Sequence, residues 1–171
     1  MIPVGRPALA KEEIDGVEEV IRSGMLAHGP RVEEFERRFA EYCGTNNAIA
    51  VNSGTAALHT TLLALGVKTG DEVIVPAFTF FATASSVCMC GAQPVFADVE
   101  EDTFNISIDS LEDHISQRTR AVIGVHLFGQ PFALHPVAKI CGERGIHFIE
   151  DAAQAHGAIY HGKKVGSFGV A

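Results

Sequence analysis

The chain has 171 residues, 47% hydrophobic and 20% charged, a composition that suits one globular domain with a real core and excludes a low-complexity chain. Its formal net charge of −8 argues against a nucleic-acid partner, because phosphate backbones are held by basic surfaces, while free nucleotides or sugar phosphates remain open as ligands. No apolar run approaches the ~18 residues of a membrane-spanning helix, so no membrane partner is expected.

From the N-terminus, "PALAKEEIDGVEEVIRSG" places Ile14, Val17, Val20 and Ile21 at helical spacing and closes on Gly24. "PRVEEFERRFAEYCG" repeats the pattern with Val32, Phe35, Phe39 and Tyr42. "NAIAVNS", residues 47–53, reads as a strand and "TAALHTTLLALG" as a helix. "DEVIVPAF", "QPVFADV", "RAVIGVH" and "HFIED" read as further strands. They alternate with helices in "FATASSVCMCG", "DSLEDHIS" (Asp109 as its cap) and "HPVAKICGERG". "AIYHGKKVGSFG" predicts a hairpin turning at His161-Gly162. The strands are short continuous apolar runs, as in a sheet covered on both faces, so the expected fold is α/β with a mostly parallel sheet and helices on both faces. Residues 1–45 are expected to form a separate helical arm.

Of the four cysteines, Cys43, Cys88, Cys90 and Cys141, the pair Cys88 and Cys90 sits in an apolar stretch at a one-residue spacing that fits no common zinc pattern, and they read as buried, reduced thiols. Together with an opening that lacks a charged n-region and apolar h-region, they argue for the cytoplasm.

In a sheet of this kind ligands bind beyond the carboxyl ends of the strands, and three clusters sit there. In "VNSGTAAL" a helix begins at Ser53-Gly54-Thr55-Ala56, where free amides and the positive helix end suit an anion. Alone, an ordinary capped helix is the simpler account. "PAFTFFATA" carries Phe78, Phe80 and Phe81. Phe78 and Phe81 read as core, and Phe80 as the aromatic that covers a flat ligand ring. "IEDAAQAHGA" ends an apolar strand on Glu150 and Asp151. An acid at a buried strand end is costly unless a positive group meets it, and a protonated pyridine nitrogen is such a group. Asp151 suits that pairing, with Gln154 placed to donate to the ring oxygen; a helix cap satisfied by its own backbone accounts for Asp151 about as well. Jointly the clusters point to pyridoxal phosphate. That chemistry also needs a lysine as its covalent anchor. Of Lys11, Lys68, Lys139, Lys163 and Lys164, none closely follows a core strand, and the last two are expected to be solvated at the hairpin turn.

The motifs "IPVGRPAL", "SGMLAHGPRVEEFE", "VNSGTAALH", "GDEVIVPAFTFFATA", "GAQPVFADV", "VHLFGQP" and "IEDAAQAHGA" follow one another as in the DegT/DnrJ/StrS family of sugar aminotransferases, which the chain resembles from residue 2 to its last residue. The resemblance implies the aspartate aminotransferase fold (fold type I). It makes residues 46–171 part of a large domain whose remainder and small domain are absent. It implies that Thr55 and Ala56 hold the cofactor phosphate by backbone contacts, beside Gly54, which lets the backbone approach closely and is counted with the cofactor-binding residues. Phe80 stacks on the ring, Asp151 meets the pyridine nitrogen, and Gln154 meets the ring oxygen. His126 and Gln130 lie near the site, with a strand-end histidine bonded to backbone the simpler account of His126. Met25, and His28 in the pair Ala27-His28, replace residues more usual near the sugar.

In the family the Schiff-base lysine follows the "GSFG" segment, and this chain stops short of it. The expectation is therefore a truncated N-terminal part, inactive as it stands. The complete enzyme would transfer an amino group, usually from glutamate, to a keto group of a nucleotide-linked sugar, for polysaccharide or other cell-surface sugar synthesis, as a homodimer. A dehydratase of the same family, or a non-catalytic ligand-binding or regulatory fragment, are the alternatives. The strands at 47–53 and 147–151 are expected to expose unpaired edges toward each other, favouring self-association.

Overall fold

A computed structural model describes residues 7–171 of the chain, so residues 2–6 of the motif "IPVGRPAL" lie outside the described residues. By contacts the chain divides into two units. One runs up to Glu41 and includes Asn46–Ala50; the other comprises Tyr42–Thr45 and Val51–Ala171.

The first unit is helical. α1 (Lys11–Ser23) starts where the Ala10 amide donates to Glu13 Oε2 at 2.6 Å and ends on Gly24 with φ 74°, a left-handed cap that glycine adopts without steric cost. α2 (Pro30–Cys43) opens on proline, whose missing N–H costs nothing in a first turn. Arg31 of α2 pairs with Glu19 of α1. The apolar stripe of α1 is regular, yet Ile14, Val17 and Ile21 are all exposed.

The second unit is a four-stranded parallel sheet, β1 (Glu72–Pro76), β2 (Gln93–Ala97), β3 (Thr119–Val125) and β4 (His147–Asp151), in the order β2-β1-β3-β4. Alternation along each strand sorts two cores. On one face α3 (Gly54–Ala64) and α4 (Ala82–Met89) pack Leu58, Leu62 and Val87 against Val73, Val75, Ile123 and Ile149. On the other, α5 (Ile108–His114) and α6 (Leu134–Arg144) pack Leu111, Leu134 and Val137 against Ile74, Val122 and Phe148. The antiparallel hairpin β5 (Ile159–Tyr160) and β6 (Lys163–Lys164) turns at His161 and Gly162, both with positive φ, as a two-residue hairpin requires.

Three expectations change. The segment 47–53 is not a strand: a strand exists through its ladder, no described segment pairs with it, and Ile49 is 82% exposed. Asn46–Ala50 stays with the helical unit, where the Ala50 amide donates to Glu36 Oε1 at 2.7 Å. The outer edge of β4 is not bare either, because Val170 N donates to Phe148 O at 2.8 Å and Glu150 N to Ala171 O at 3.0 Å. Finally, Ser107 caps α5 and Asp109 lies within its first turn, where a carboxylate still favours the helix end. The four cysteines are free, but only Cys141 is buried, with its thiol pushed up to about 11 by burial; Cys88 is exposed near the end of α4.

Candidate functional site

The chain runs from β1 outward to β2, then crosses to β3 on the other side of β1. That reversal opens a crevice at the carboxyl ends of β1 and β3, the place where open parallel sheets take ligands. Six of the cofactor residues singled out by sequence, Gly54, Thr55, Ala56, Phe80, Asp151 and Gln154, belong to this unit and to this edge. α3 ends just before β1 begins and packs along it, so its N-terminus rises to the same edge.

At that terminus Ser53 Oγ accepts from Ala56 N at 3.1 Å. The amides of Gly54 and Thr55, just before Ala56 in the same first turn, have no acceptor among the described residues and are the free donors; Gly54 is exposed with open space where a Cβ would stand. Ala56 already has its acceptor in Ser53, so its amide is available to an anion only by exchange.

After β1, Phe80 is 72% exposed, as its proposed role requires. Phe78 and Phe81, expected in the core, are 50% and 78% exposed. They fall in the connection into α4, and Phe81 is its N-cap residue, so neither stands on a face that packs. Phe78 meets another exposed ring, Phe104, at 5.7 Å.

At the end of β4, Asp151 is half-buried and its Oδ1 accepts from Ala153 N at 3.1 Å. That local turn uses one carboxylate oxygen; Oδ2 has no partner among the described residues. Gln154 Oε1 accepts from Phe128 N at 2.8 Å. The amide's carbonyl end is thereby taken, and its NH2 end has no partner among the described residues, the orientation needed to donate to a phenolic oxygen. Phe128 holds φ 53°, a left-handed conformation unusual for a bulky residue and costing on the order of 1 kcal/mol, and this aims its N–H at Gln154.

His126 is fully buried, and its side chain does not bond to backbone as expected. Nε2 lies 3.1 Å from Glu150 Oε2, and the ring stacks on Phe132 at 4.5 Å. An imidazole that reaches a buried carboxylate has a stronger partner than a carbonyl. Glu150 was legible only as an acid on a buried strand, and Asn105 not at all. Asn105 is buried and uses both ends of its amide, on Gln130 O at 3.0 Å and Leu127 N at 3.2 Å, to clamp the turn after β3. Gln130 itself turns an exposed side chain outward.

His28 belongs to the helical unit, exposed and 3.9 Å from Glu33. A cleft between α1 and α2 is lined by Val20, Met25, Leu26 and Val32 and contains none of the strand-end residues. Lys163 and Lys164 are not free at the turn: the turn is only His161-Gly162, so both lie in β6. Lys163 Nζ donates to Ser167 O at 2.6 Å, and Lys164 Nζ to Tyr42 O at 2.5 Å, above the Tyr42 ring. Among the described residues no helix is long and apolar enough to cross a membrane, and no cluster of His, Cys, Asp and Glu could hold a metal.

Comparison with known proteins gives a consistent result. The model of the DegT/DnrJ/EryC1/StrS aminotransferase family matches residues 7–171. A GDP-perosamine synthase of Caulobacter vibrioides is 46% identical over 169 residues, 98% of this chain and 46% of the relative. The aminotransferase from Psychrobacter cryohalolentis superposes with TM-score 0.93 at 40% identity, over 98% of this chain and 43% of its own. A GDP-4-keto-6-deoxymannose-3-dehydratase holding a trapped PLP-glutamate geminal diamine superposes with TM-score 0.91 at 32% identity, over 98% of this chain and 45% of its own. The chain thus spans about half the length of the relatives it matches.

Proposed function

This chain belongs to the DegT/DnrJ/EryC1/StrS aminotransferase family, and from that premise and the geometry of the strand ends we propose that it forms the pyridoxal-phosphate-binding part of an aminotransferase acting on a keto group of a GDP-linked sugar, with glutamate as donor. The observation that carries the reading is the state of Asp151 and Gln154. One keeps a carboxylate oxygen open and the other a free NH2, each because a backbone amide has taken its other end.

Each residue has a stated task. The amides of Gly54 and Thr55, at the N-terminus of α3, hold the cofactor phosphate, with Ala56 as a further donor by exchange. Phe80 covers one face of the ring, and Gln154 fixes the ring oxygen. Asp151 holds a proton on the pyridine nitrogen. When bound, pyridoxal phosphate supplies an electron-withdrawing ring that stabilises negative charge on the substrate carbon. Glutamate as donor is supported by the dehydratase that traps it, and the GDP-sugar class by the perosamine synthase. His126, buried against Glu150, has no access to a substrate and is given no contact with it; Gln130 and His28 are assigned to the sugar side.

None of the described lysines is placed to anchor the cofactor. Lys68 precedes β1 at the opposite edge of the sheet, Lys11 and Lys139 lie on helices, and Lys163 and Lys164 are engaged in the hairpin. Activity is therefore proposed for the longer protein, in the cytoplasm and as a homodimer; the 171-residue chain alone is expected to be inactive. Borohydride reduction of this chain with pyridoxal phosphate should leave Lys163 and Lys164 unlabelled.

The test supplies the full-length protein with pyridoxal phosphate, glutamate and GDP-4-keto-6-deoxymannose, with products followed by mass spectrometry. An amino sugar with stoichiometric 2-oxoglutarate supports the proposal. Loss of water without nitrogen transfer to the sugar gives the dehydratase reading instead, and no conversion of either kind removes both.

A further inference from the structure

Glu150 is a buried titratable group that the proposed chemistry does not use. It neighbours Asp151 on β4 but, by strand alternation, faces the opposite side of the sheet. Its carboxylate meets four donors. Gly166 N at 2.8 Å and His126 Nε2 at 3.1 Å reach Oε2, and Phe168 N at 2.6 Å and Gly169 N at 2.7 Å reach Oε1. Its backbone amide also donates to Ala171 O. One residue thus grips the segment 166–171 with both side chain and main chain.

The segment is shaped for this grip. Gly166 has φ 81°, which a side chain would strain, and a Cβ on Gly169 would stand 2.6 Å from Phe148 O. His126 is held from behind by Phe132, whose ring occupies the space that a Cβ on Gly124 would need, 2.2 Å away. Burial pushes the Glu150 carboxyl up, but the hydrogen bonds from His126, Gly166, Gly169 and Phe168 outweigh it and hold the group below the usual range. With Nε2 donating to the carboxylate, His126 Nδ1 is left buried and without a partner among the described residues.

We propose that Glu150 is a positioning residue for the cofactor site: its carboxylate pins the loop 166–169, and with it Val170 and Ala171, against β4, with His126 as the second clamp, and so fixes the end of β4 that carries Asp151 beside β3. This rests on Asp151 being the cofactor's partner. In one dimension β4 is then divided by function, one carboxylate gripping the protein and its neighbour left for the ligand.

The test uses the full-length protein. Hydrogen exchange of the Gly166, Phe168 and Gly169 amides is measured without cofactor, and pyridoxal phosphate affinity separately, in wild type, Glu150→Gln and His126→Asn. For Glu150→Gln, exchange at all three amides should quicken about tenfold or more, as expected for losing a charged acceptor, while β1 amides keep their protection. Cofactor affinity should fall about tenfold through displacement of Asp151. His126→Asn should quicken Gly166, which shares Oε2, more than Phe168 and Gly169, and keeps the inference testable if Glu150→Gln does not fold. Unchanged exchange in both variants would show that Glu150 does not hold the loop. Quickened exchange with unchanged affinity would show that the loop does not serve the site. A wild type that binds no pyridoxal phosphate fails the functional reading, and with it the claim that the loop serves a cofactor, while exchange alone still decides whether Glu150 holds the loop.

Discussion

The two faces of the sheet differ most at its carboxyl edge. On the α5–α6 face, Glu150, His126 and Phe132 are buried and interlocked, and every oxygen of the carboxylate has donors. On the α3–α4 face, Asp151, Gln154, Gly54, Thr55 and Phe80 are half-buried or exposed, and each polar group among them keeps one valence open. The same strands end in both environments. The contrast separates what holds the edge from what the edge holds: polar groups satisfied by protein are structure, and polar groups satisfied on one side only are offered to a ligand.

The largest expected effect breaks the open face alone. Asp151→Asn in the full-length protein should lower amino transfer by about a hundredfold or more, the scale of a lost electrostatic partner at the reacting group. Its melting temperature should stay near wild type; near-normal turnover would reduce Asp151 to a turn residue.

The converse change strikes the closed face. Gly124→Ala drives a methyl into Phe132, whose Cζ lies 2.2 Å from the new atom. Overpacking of this kind costs about 1–3 kcal/mol, a drop of roughly 2–4 °C per kcal/mol in a chain of this size. Differential scanning calorimetry measures it, and an unchanged melting temperature would mean that the ring is not wedged there.

A third expectation uses pH. Glu150 is held below its ordinary value of 4.5, burial being outweighed by four hydrogen bonds. Glu72, buried at the amino edge of the sheet, is also held below 4.5, by Ser116 and then Arg118. A carboxyl depressed in the folded state stabilises above its unfolded value, and that contribution is lost as pH falls through the folded value. Urea midpoints should therefore decline below about pH 4.5, and Glu150→Gln should flatten the decline. A decline of equal slope in that variant would contradict it.

The smallest effects return to the open face. Phe81→Ser should change stability by less than about 0.5 kcal/mol, because an exposed ring loses little on removal. Phe80→Ala should be equally silent in stability yet weaken pyridoxal phosphate binding, which fluorescence titration resolves.

Much of this was legible in sequence because it depends on local chemistry. Four of the five predicted strands and the His161-Gly162 turn form where apolar runs and turn residues put them. The strand at 47–53 failed because pairing is not a local property: "NAIAVNS" has a strand's composition but no ladder partner among the described residues. Phe78 and Phe81 were misread because hydrophobicity reports what a side chain prefers, not whether an element covers it. The sequence also showed two acids at the end of β4. Which one would be buried depended on a loop 16 to 19 residues away turning three amides toward Glu150. The free end of Gln154 likewise depended on the left-handed backbone of Phe128.

The central claim is that Asp151 keeps a proton on a pyridine nitrogen at the open face. Nitrogen-15 NMR of the full-length protein loaded with ring-labelled pyridoxal phosphate reads that nitrogen directly. A shift characteristic of a protonated ring in wild type, moving to the unprotonated position in Asp151→Asn, is the result predicted. A nitrogen that is unprotonated in wild type, or indifferent to the substitution, would contradict the account.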